Sequence, residues 1–222
     1  MLPLVPLGKK GSTGIPIFTI FISVACIIVY AFANQEADQL ALAFYPDQLD
    51  PLKMFTSVFT HGSLWHLAVN LFFFYGFSRT IETQLTAVGY LLAFVVFVLI
   101  TNLSFALTAD LDTPTIGLSG VVWGYMGMFL VRYPKDDITC WCIRTIEIPA
   151  FLFILAFLAL DIAAFRHGDN VHVNYAAHFS GFIAGASYKL AFWKIFTTES
   201  PPEPKKRPVL VPSRPPARMP RR

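Results

Sequence analysis

Charged residues are scarce in this chain of 222 residues. They make up 14% of it, against about 25% in an ordinary globular protein. The hydrophobic class makes up 55%, phenylalanine alone supplies 22 residues, and the mean hydropathy is +0.56. A water-soluble fold of this size has too little interior to hide so much apolar surface. The composition therefore excludes a soluble protein and places most of the chain in lipid.

Cysteine is also scarce, with three residues in all. An odd number excludes a complete disulfide framework. Cys26 lies in an apolar run, whereas Cys140 and Cys142 form a C-x-C in a polar loop with no further ligand nearby. We interpret this pair as loop thiols in a reducing compartment, with a metal pair as the alternative. We predict no metal site.

Long apolar runs are abundant. A sliding hydropathy window finds six segments, each near the ~20 residues that cross the hydrocarbon core. The sequence therefore predicts an all-α, polytopic membrane protein built as a bundle of six transmembrane helices. The six segments are 15–33, 64–77, 86–107, 115–133, 148–165 and 175–196.

The distribution of Lys and Arg predicts the orientation of this bundle. With six spans both termini share a side, and fifteen of the 17 Lys and Arg residues fall on it. Lys53 and Arg166 are the two on the other side. By the positive-inside rule both termini are predicted to be cytoplasmic. We expect the membrane to be the cell (inner) membrane. An alternative for the first span is a signal peptide cleaved after Ala31-Phe32-Ala33, but the apolar run exceeds a usual h-region.

The chain divides into three predicted regions. Residues 1–14 form a short cytoplasmic N-terminus, 15–196 the six-helix domain, and 197–222 a disordered cytoplasmic tail rich in Pro, Arg and Lys. From position 200 onward stand seven Lys or Arg, one acid and 8 of the 16 prolines, a composition that disfavours helix and strand. Such a tail can bind nucleic acid, but beside a membrane it marks the cytoplasmic side, so we predict no nucleic-acid partner.

Polar groups inside the spans are the candidate functional residues, because placing them in lipid is costly. Spans two, four and six all enter from the outer side, and each carries polar groups near that end. The topology therefore predicts that they lie in one layer. The three segments read His61-Gly-Ser-Leu-Trp-His66-Leu-Ala-Val-Asn70, Gly117-Leu118-Ser119-Gly120 and Ala177-His178-Phe-Ser-Gly181.

Close packing of spans four and six would make Ser119 and His178 a reactive pair. Small residues spaced by four let helix backbones approach, and both spans have such a groove, at Gly120, Gly124 and Gly127 and at Gly181 and Gly185. A serine hydroxyl within hydrogen-bond reach of an imidazole is an activated nucleophile. Donors for an oxyanion are available from His66 and Asn70, which share one helix face, and from the Ser119 backbone amide.

On these residues the chain resembles the rhomboid intramembrane serine proteases in their basic six-span form. The matching pieces are His61-x-x-x-x-His66-x-x-x-Asn70, Gly117-Leu118-Ser119-Gly120 and Ala177-His178-x-x-Gly181-x-x-x-Gly185, and the resemblance covers roughly 15–196. It implies a dyad of Ser119 as nucleophile and His178 as general base, without a third member. It also implies an oxyanion hole of His66, Asn70 and the Ser119 amide, and a turn shaped by Gly117 and Gly120.

The same resemblance implies the partners of the protein. Its substrates would be membrane proteins with a helix-destabilised transmembrane segment, cut near the outer end after a small residue. Water would reach the dyad through a cavity open to the outside, and no cofactor would be needed. The bilayer itself is the other predicted partner.

Three features depart from the family pattern. Residues 34–60 lack the Trp-Arg pair frequent in the first outer loop. Trp123 stands where a tyrosine is frequent and can still stack on an imidazole. The segment Glu82-Thr-Gln-Leu-Thr86 lacks the glycine that often ends it. None of these changes removes a catalytic group.

Two other functions fit a bundle of this kind. A rhomboid-like pseudoprotease binds membrane clients without cutting them, but such relatives usually lack the serine or the histidine. A transporter would use Asp161, inside span five, as a proton relay, but no internal repeat favours this. Asp161 has two further interpretations, as a residue near the outer helix end that reaches water and as an acid that orients His178.

The remaining polar residues are interpreted as structural. His61 points to a different helix face from His66 and supports the start of the helix. His172 lies in the short loop before span six and is solvated. Arg79 and Glu82, three apart on the inner side, form a structural pair.

Overall fold

The computed structural model of the chain describes residues 4–6, 14–33, 35–140, 147–167 and 173–198. Each of the six predicted segments overlaps one helix, and the last begins and ends where predicted. The tail beyond residue 198, Cys142 and His172 lie outside the described residues. The helices are α1 (Ile17–Phe32), α2 (Glu36–Leu42), α3 (Pro51–Phe59), α4 (Leu64–Glu82), α5 (Ala87–Ala106), α6 (Ser119–Arg132), α7 (Ala150–His167) and α8 (Tyr175–Phe196).

The described chain is mostly helical, as predicted, and it also contains a short antiparallel sheet that the sequence did not predict. Its strands are β1 (Leu4–Pro6), β2 (Asp137–Cys140) and β3 (Glu147–Pro149), in the order β1-β2-β3. In the register, Ile138 lies opposite Ile148. Strands of three or four residues are too short to show a period in the sequence.

The first outer loop is not a simple loop, because it folds into α2 and α3. Asp50 caps α3 by accepting a hydrogen bond from the backbone N–H of Leu52 at 2.8 Å. Asn102 of α5 donates from Nδ2 to the carbonyl of Met54 at 3.2 Å and so ties α3 to the bundle. The segment between α2 and α3 pairs through Phe44 with Thr115, in the loop before α6.

Helix α6 forms the centre of the bundle, with every residue from Gly120 to Phe129 buried. It begins four residues later than the predicted span, at Ser119. Gly117 has a φ of 114°, a left-handed value that a right-handed helix cannot include. The turn at this glycine therefore defines where α6 can begin.

Helices α6 and α8 touch through their backbones. A Cβ atom on Gly185 would fall on the carbonyl oxygen of Gly124, and one on Gly181 would fall on the carbonyl oxygen of Gly120. Only a residue without a side chain allows this approach. The close packing predicted from the two glycine motifs is confirmed.

The predicted groove on α6 faces two different helices. A Cβ atom on Gly120 would meet Thr101 of α5 at 2.9 Å, and one on Gly124 would meet the Phe97 ring of α5 at 2.5 Å. Toward α8, these two residues present their carbonyl oxygens instead. Gly120 and Gly124 therefore allow close packing on both sides of the central helix.

Glu82, at the end of α4, caps the start of α1. Its carboxylate accepts hydrogen bonds from the backbone N–H groups of Phe18 and Thr19, both at 2.8 Å, and from the Thr19 hydroxyl at 2.6 Å. A negative charge at a helix N-terminus is stabilising. The predicted pair with Arg79 is absent from the described part of the chain, where Arg79 lies over the Tyr75 ring.

Two helices of the described ranges, α5 and α7, are long and apolar enough to cross a membrane by length and composition. Helix α1 is apolar but has 16 residues. Helix α6 has 14 residues, and α4 and α8 include buried polar residues such as Asn70 and His178, which lower their mean hydropathy. The count of six spans stays a prediction.

Candidate active site

A cavity of about 740 Å³ lies between α4, α6, α7 and α8, a volume in the usual range of ligand sites. Ser119, His178, His66 and Asn70 all line it. The structure thus brings together the polar groups that the topology predicted to share one layer. Within the described ranges no three His, Cys, Asp or Glu side chains stand close enough to hold a metal ion.

Ser119 and His178 are hydrogen-bonded across the α6–α8 contact. The Ser119 Oγ atom lies 2.9 Å from Nε2 of His178, and the His178 side chain is 11% exposed. Both residues lie in the first turn of their helices. A serine hydroxyl at this distance can pass its proton to the imidazole as it attacks an electrophile.

The turn at Gly117 holds Ser119 in place. The backbone N–H of Gly117 donates to the carbonyl of Ser57 in α3 at 2.9 Å. A Cβ atom on Gly117 would meet Cε1 of the His66 ring at 2.8 Å. The left-handed φ and this contact both require glycine at position 117.

Sequence reasoning missed three residues that position the site. Asn174 caps α8 by accepting from the N–H of Ala177 at 2.9 Å, and it donates from Nδ2 to the Thr115 hydroxyl at 3.1 Å. Asparagine just before an apolar run is a recognisable N-cap signal. Ser57 acts through its backbone carbonyl, for which the sequence has no signal.

Asn70 and His66 lie one turn apart on α4. Nδ2 of Asn70 donates to the carbonyl of His66 at 2.9 Å, and the amide nitrogen has a second N–H to offer. Ser63 caps the helix by accepting from the His66 backbone N–H at 3.1 Å. One amide N–H and one imidazole are therefore available on the α4 wall of the cavity.

His61 supports this wall and is fully buried. Its ring packs edge-on against the His66 ring, with centroids 5.1 Å apart, and Nδ1 lies 3.2 Å from the carbonyl of Phe59. Burial, reinforced by the nearby His66, lowers the pKa of His61 to about 3. His61 is therefore neutral in the folded protein, which agrees with a supporting role.

Trp123 lies one turn after Ser119, and its ring centroid is 5.8 Å from that of His178 at an interplanar angle of 35°. Trp123, which stands where the family frequently has a tyrosine, therefore contacts the His178 imidazole. It supports the imidazole on the α6 side.

Asp161 of α7 reaches the other side of the imidazole. Its Oδ2 atom lies 2.5 Å from Nδ1 of His178, and its side chain is 22% exposed. Of the interpretations that the sequence left open, this contact fits the acid that orients His178. The structure thus adds a third polar group to the pair that the resemblance implied.

The fold and the cavity define a class: a helical, strongly apolar protein with a serine–imidazole pair inside its bundle. A family model described as the rhomboid domain matches residues 48–195. The chain belongs to the rhomboid family, whose members are embedded in membranes.

Similar relatives include the rhomboid protease GlpG of Salmonella paratyphi A, of Salmonella choleraesuis and of Salmonella typhi. Each is 28% identical over 174 residues, which is 75% of this chain and 60% of the relative. The chain thus spans about 60% of the length of these curated relatives.

Proposed function

We propose that the protein is an intramembrane serine endopeptidase that cleaves transmembrane helices of membrane proteins near their outer end. The observation that supports this most is the 2.9 Å contact between Ser119 Oγ and His178 Nε2, which lines a cavity inside a helical bundle. Ser119 is the nucleophile and His178 the general base. The similar relatives are named as rhomboid proteases, which agrees with this chemistry.

The first step forms the bond between Ser119 Oγ and the substrate carbonyl carbon. The hydroxyl proton passes to Nε2 of His178, and the carbonyl π electrons move to the oxygen. His178 then gives the proton to the leaving nitrogen as the C–N bond breaks. Water repeats the sequence on the acyl-enzyme and releases the second product.

The oxyanion that forms in the first step needs preorganised donors. The backbone N–H of Ser119 is free of helical bonding, because the first amides of a helix have no partner within it. The His66 ring and the second N–H of Asn70 supply further donors from α4. Both residues line the same cavity as Ser119.

We propose that six helices, α1 and α4 to α8, cross the membrane. Both termini are cytoplasmic, and the cavity opens to the outer side of the cell (inner) membrane. The 14 residues of α6 span only about 20 Å, less than the ~30 Å hydrocarbon core. Ser119, at the outer end of this short helix, therefore lies below the membrane surface, and water reaches it through the cavity.

The same geometry favours substrates whose helix unwinds readily. A transmembrane helix keeps its carbonyls in internal hydrogen bonds, so a scissile carbonyl can enter the cavity only where the helix opens. We propose a six-helix protease domain over 15–196, flanked by a short N-terminus (1–14) and a basic tail (197–222). Its partners are membrane-protein substrates and the bilayer.

Cleavage of labelled single-span proteins by the purified chain in liposomes tests this function. Ser119→Ala and His178→Ala should each abolish cleavage, and the double variant should be no worse, because the two residues act as a unit. Ser180→Ala is the matched control, since the Ser180 hydroxyl bonds the carbonyl of Ala177 within α8. It should cleave normally.

Full activity in Ser119→Ala or His178→Ala would contradict the proposal. A parent protein that binds the single-span proteins without cutting them would instead indicate a pseudoprotease.

A further inference from the structure

We propose that Asp161 is a positioning residue for His178, through a hydrogen bond that its carboxylate accepts from the Nδ1–H of the imidazole. The inference rests on the proposed function of Ser119 and His178. Oδ2 of Asp161 and Nδ1 of His178 are 2.5 Å apart, and Nε2 of the same ring faces Ser119 Oγ at 2.9 Å. The imidazole therefore bridges a carboxylate and a hydroxyl.

The two contacts together select one tautomer of the ring. A neutral imidazole has one N–H and one acceptor nitrogen. His178 can accept the Ser119 proton only if Nε2 is the acceptor, which places the proton on Nδ1. A carboxylate beside Nδ1 accepts that proton in a hydrogen bond, whereas the other tautomer would leave two acceptors facing each other. Asp161 thus holds His178 in the form that a general base needs.

The place of Asp161 in the fold also argues for a specific role. A carboxylate in a membrane helix is costly and is rarely found there without a partner. Asp161 lies on α7, which is largely apolar and of which Ala150 and Ile154 are buried. Its side chain turns toward the cavity. The hydrogen bond to His178 offsets the cost of placing this carboxylate in an apolar helix.

Once His178 has taken the Ser119 proton, it becomes a cation beside the Asp161 carboxylate, which stabilises it. The other titratable groups around the ring are His66 and Glu36, which line the same cavity, and Tyr175 on its own helix, whose ring meets it edge-on at 6.3 Å. Glu36 is the second acid of this lining, but the two ring nitrogens are hydrogen-bonded to Asp161 and Ser119. Asp161 is therefore the carboxylate in direct contact with the ring, and its charge favours the protonated form.

The test measures the rate at which a fluorophosphonate probe labels Ser119, over a range of pH, in the full chain. In this reaction the bond between Oγ and phosphorus forms, fluoride leaves, and His178 takes the proton. Asp161→Asn keeps the size of the side chain but removes its charge. We expect its labelling rate to fall at least about 10-fold, and the acid limb of its pH profile to move to lower pH.

A transposition provides the matched control. Leu160 is 63% exposed and lies about 100° around the helix from Asp161. The variant Leu160→Asp/Asp161→Leu keeps the composition and charge of α7 but turns the carboxylate away from His178. It should label as slowly as Asp161→Leu alone. Asp161→Glu, which keeps a carboxylate on the same side, should recover part of the rate.

Two results would overturn the inference. One is an Asp161→Asn protein that labels within about twofold of the parent with an unmoved acid limb. The other is an Asp161→Asn protein in which a smaller fraction of molecules is labelled and the melting temperature falls, but the labelling rate of the reactive fraction is unchanged. That result would show that Asp161 contributes to packing alone.

Failure of the proposed function is distinguished by NMR of histidine labelled in the ring. If the parent does not label at Ser119, that function fails, but the Nδ1–H signal of His178 still reports the hydrogen bond. The signal is expected at low field in the parent, assigned by its loss in His178→Gln, and shifted upfield in Asp161→Asn. An unshifted signal would overturn the role of Asp161.

Discussion

The carbonyl oxygen of Gly124 occupies the space that a side chain on Gly185 would need. The carbonyl carbon of Gly124 and the backbone nitrogen of Met128 would also lie within 2.7 and 3.0 Å of that Cβ atom. All three atoms belong to the backbone of the central helix, so none can move aside as a flexible side chain can. The contact that brings Ser119 to His178 thus depends on the absence of one methyl group.

Gly185→Ala should therefore separate α6 from α8. We expect the free energy of unfolding to fall by about 3 kcal/mol, the upper range for overpacking, and labelling of Ser119 by a fluorophosphonate to be lost. Thermal unfolding in detergent and gel-based labelling measure the two effects. Gly14→Ala is the control, because its Cβ would meet Thr83 at an ordinary 3.6 Å. Parent-like stability of Gly185→Ala would contradict the packing argument.

Asn70→Ala should slow catalysis without abolishing it. The variant loses one proposed oxyanion donor, which should lower kcat by about 100- to 1000-fold, while the Ser119 amide and His66 remain. Steady-state cleavage of a labelled single-span substrate in liposomes gives kcat and KM separately. A change in KM with an unchanged kcat would show that Asn70 binds the substrate and not the oxyanion.

Burial of His61, which lowers its pKa from 6.5 to about 3, predicts a pH dependence of stability. Between these values the unfolded chain binds a proton that the folded chain does not, so stability rises with pH and is lost as pH falls below 6.5. From pH 7 to pH 5 this amounts to about 2 kcal/mol.

Denaturant unfolding at the two pH values measures this difference. In His61→Phe, which keeps a ring against His66, the loss on acidification should be smaller by the same amount. An unchanged pH dependence in this variant would assign the acid sensitivity to other groups.

The proposed orientation predicts where reporter fusions are active. A reporter that works only outside the cytoplasm should be silent when fused after Arg222 and active when inserted in 34–60. The reason is that fifteen of the 17 Lys and Arg residues would have to move to the translocated side in the opposite orientation. Reversed signals would place the Ser119–His178 cavity on the cytoplasmic side.

The contact between Ser119 and His178 was predictable because glycine spacing is visible in a sequence and has one main structural use in membrane helices. The position of Asp161 was not predictable to the same degree. Helical period gives the face of α7 on which it lies, but its distance from His178 depends on how α7 crosses α8, and no sequence spacing encodes that. The sequence alone therefore left three interpretations of Asp161 open: a proton relay, a residue that reaches water, and an acid that orients His178.

The short elements were missed for another reason. Helices α2 and α3 and the strands have nine residues or fewer, too few for periodicity to exceed chance. Their formation depends on long-range contacts such as the pairing of Phe44 with Thr115. The packing of Gly120 and Gly124 against α5 could not be predicted either, because a single sequence does not say which neighbouring helix a given helix face contacts.

The division of the reactive pair between α6 and α8 has a consequence for biosynthesis. A nascent chain that has made α6 carries Ser119 without its base, because His178 lies 59 residues later, on the last described helix. The backbone contacts that hold the two side chains together form only when α8 docks. Under the proposed function, completion of the bundle and the appearance of a reactive serine are thus a single event.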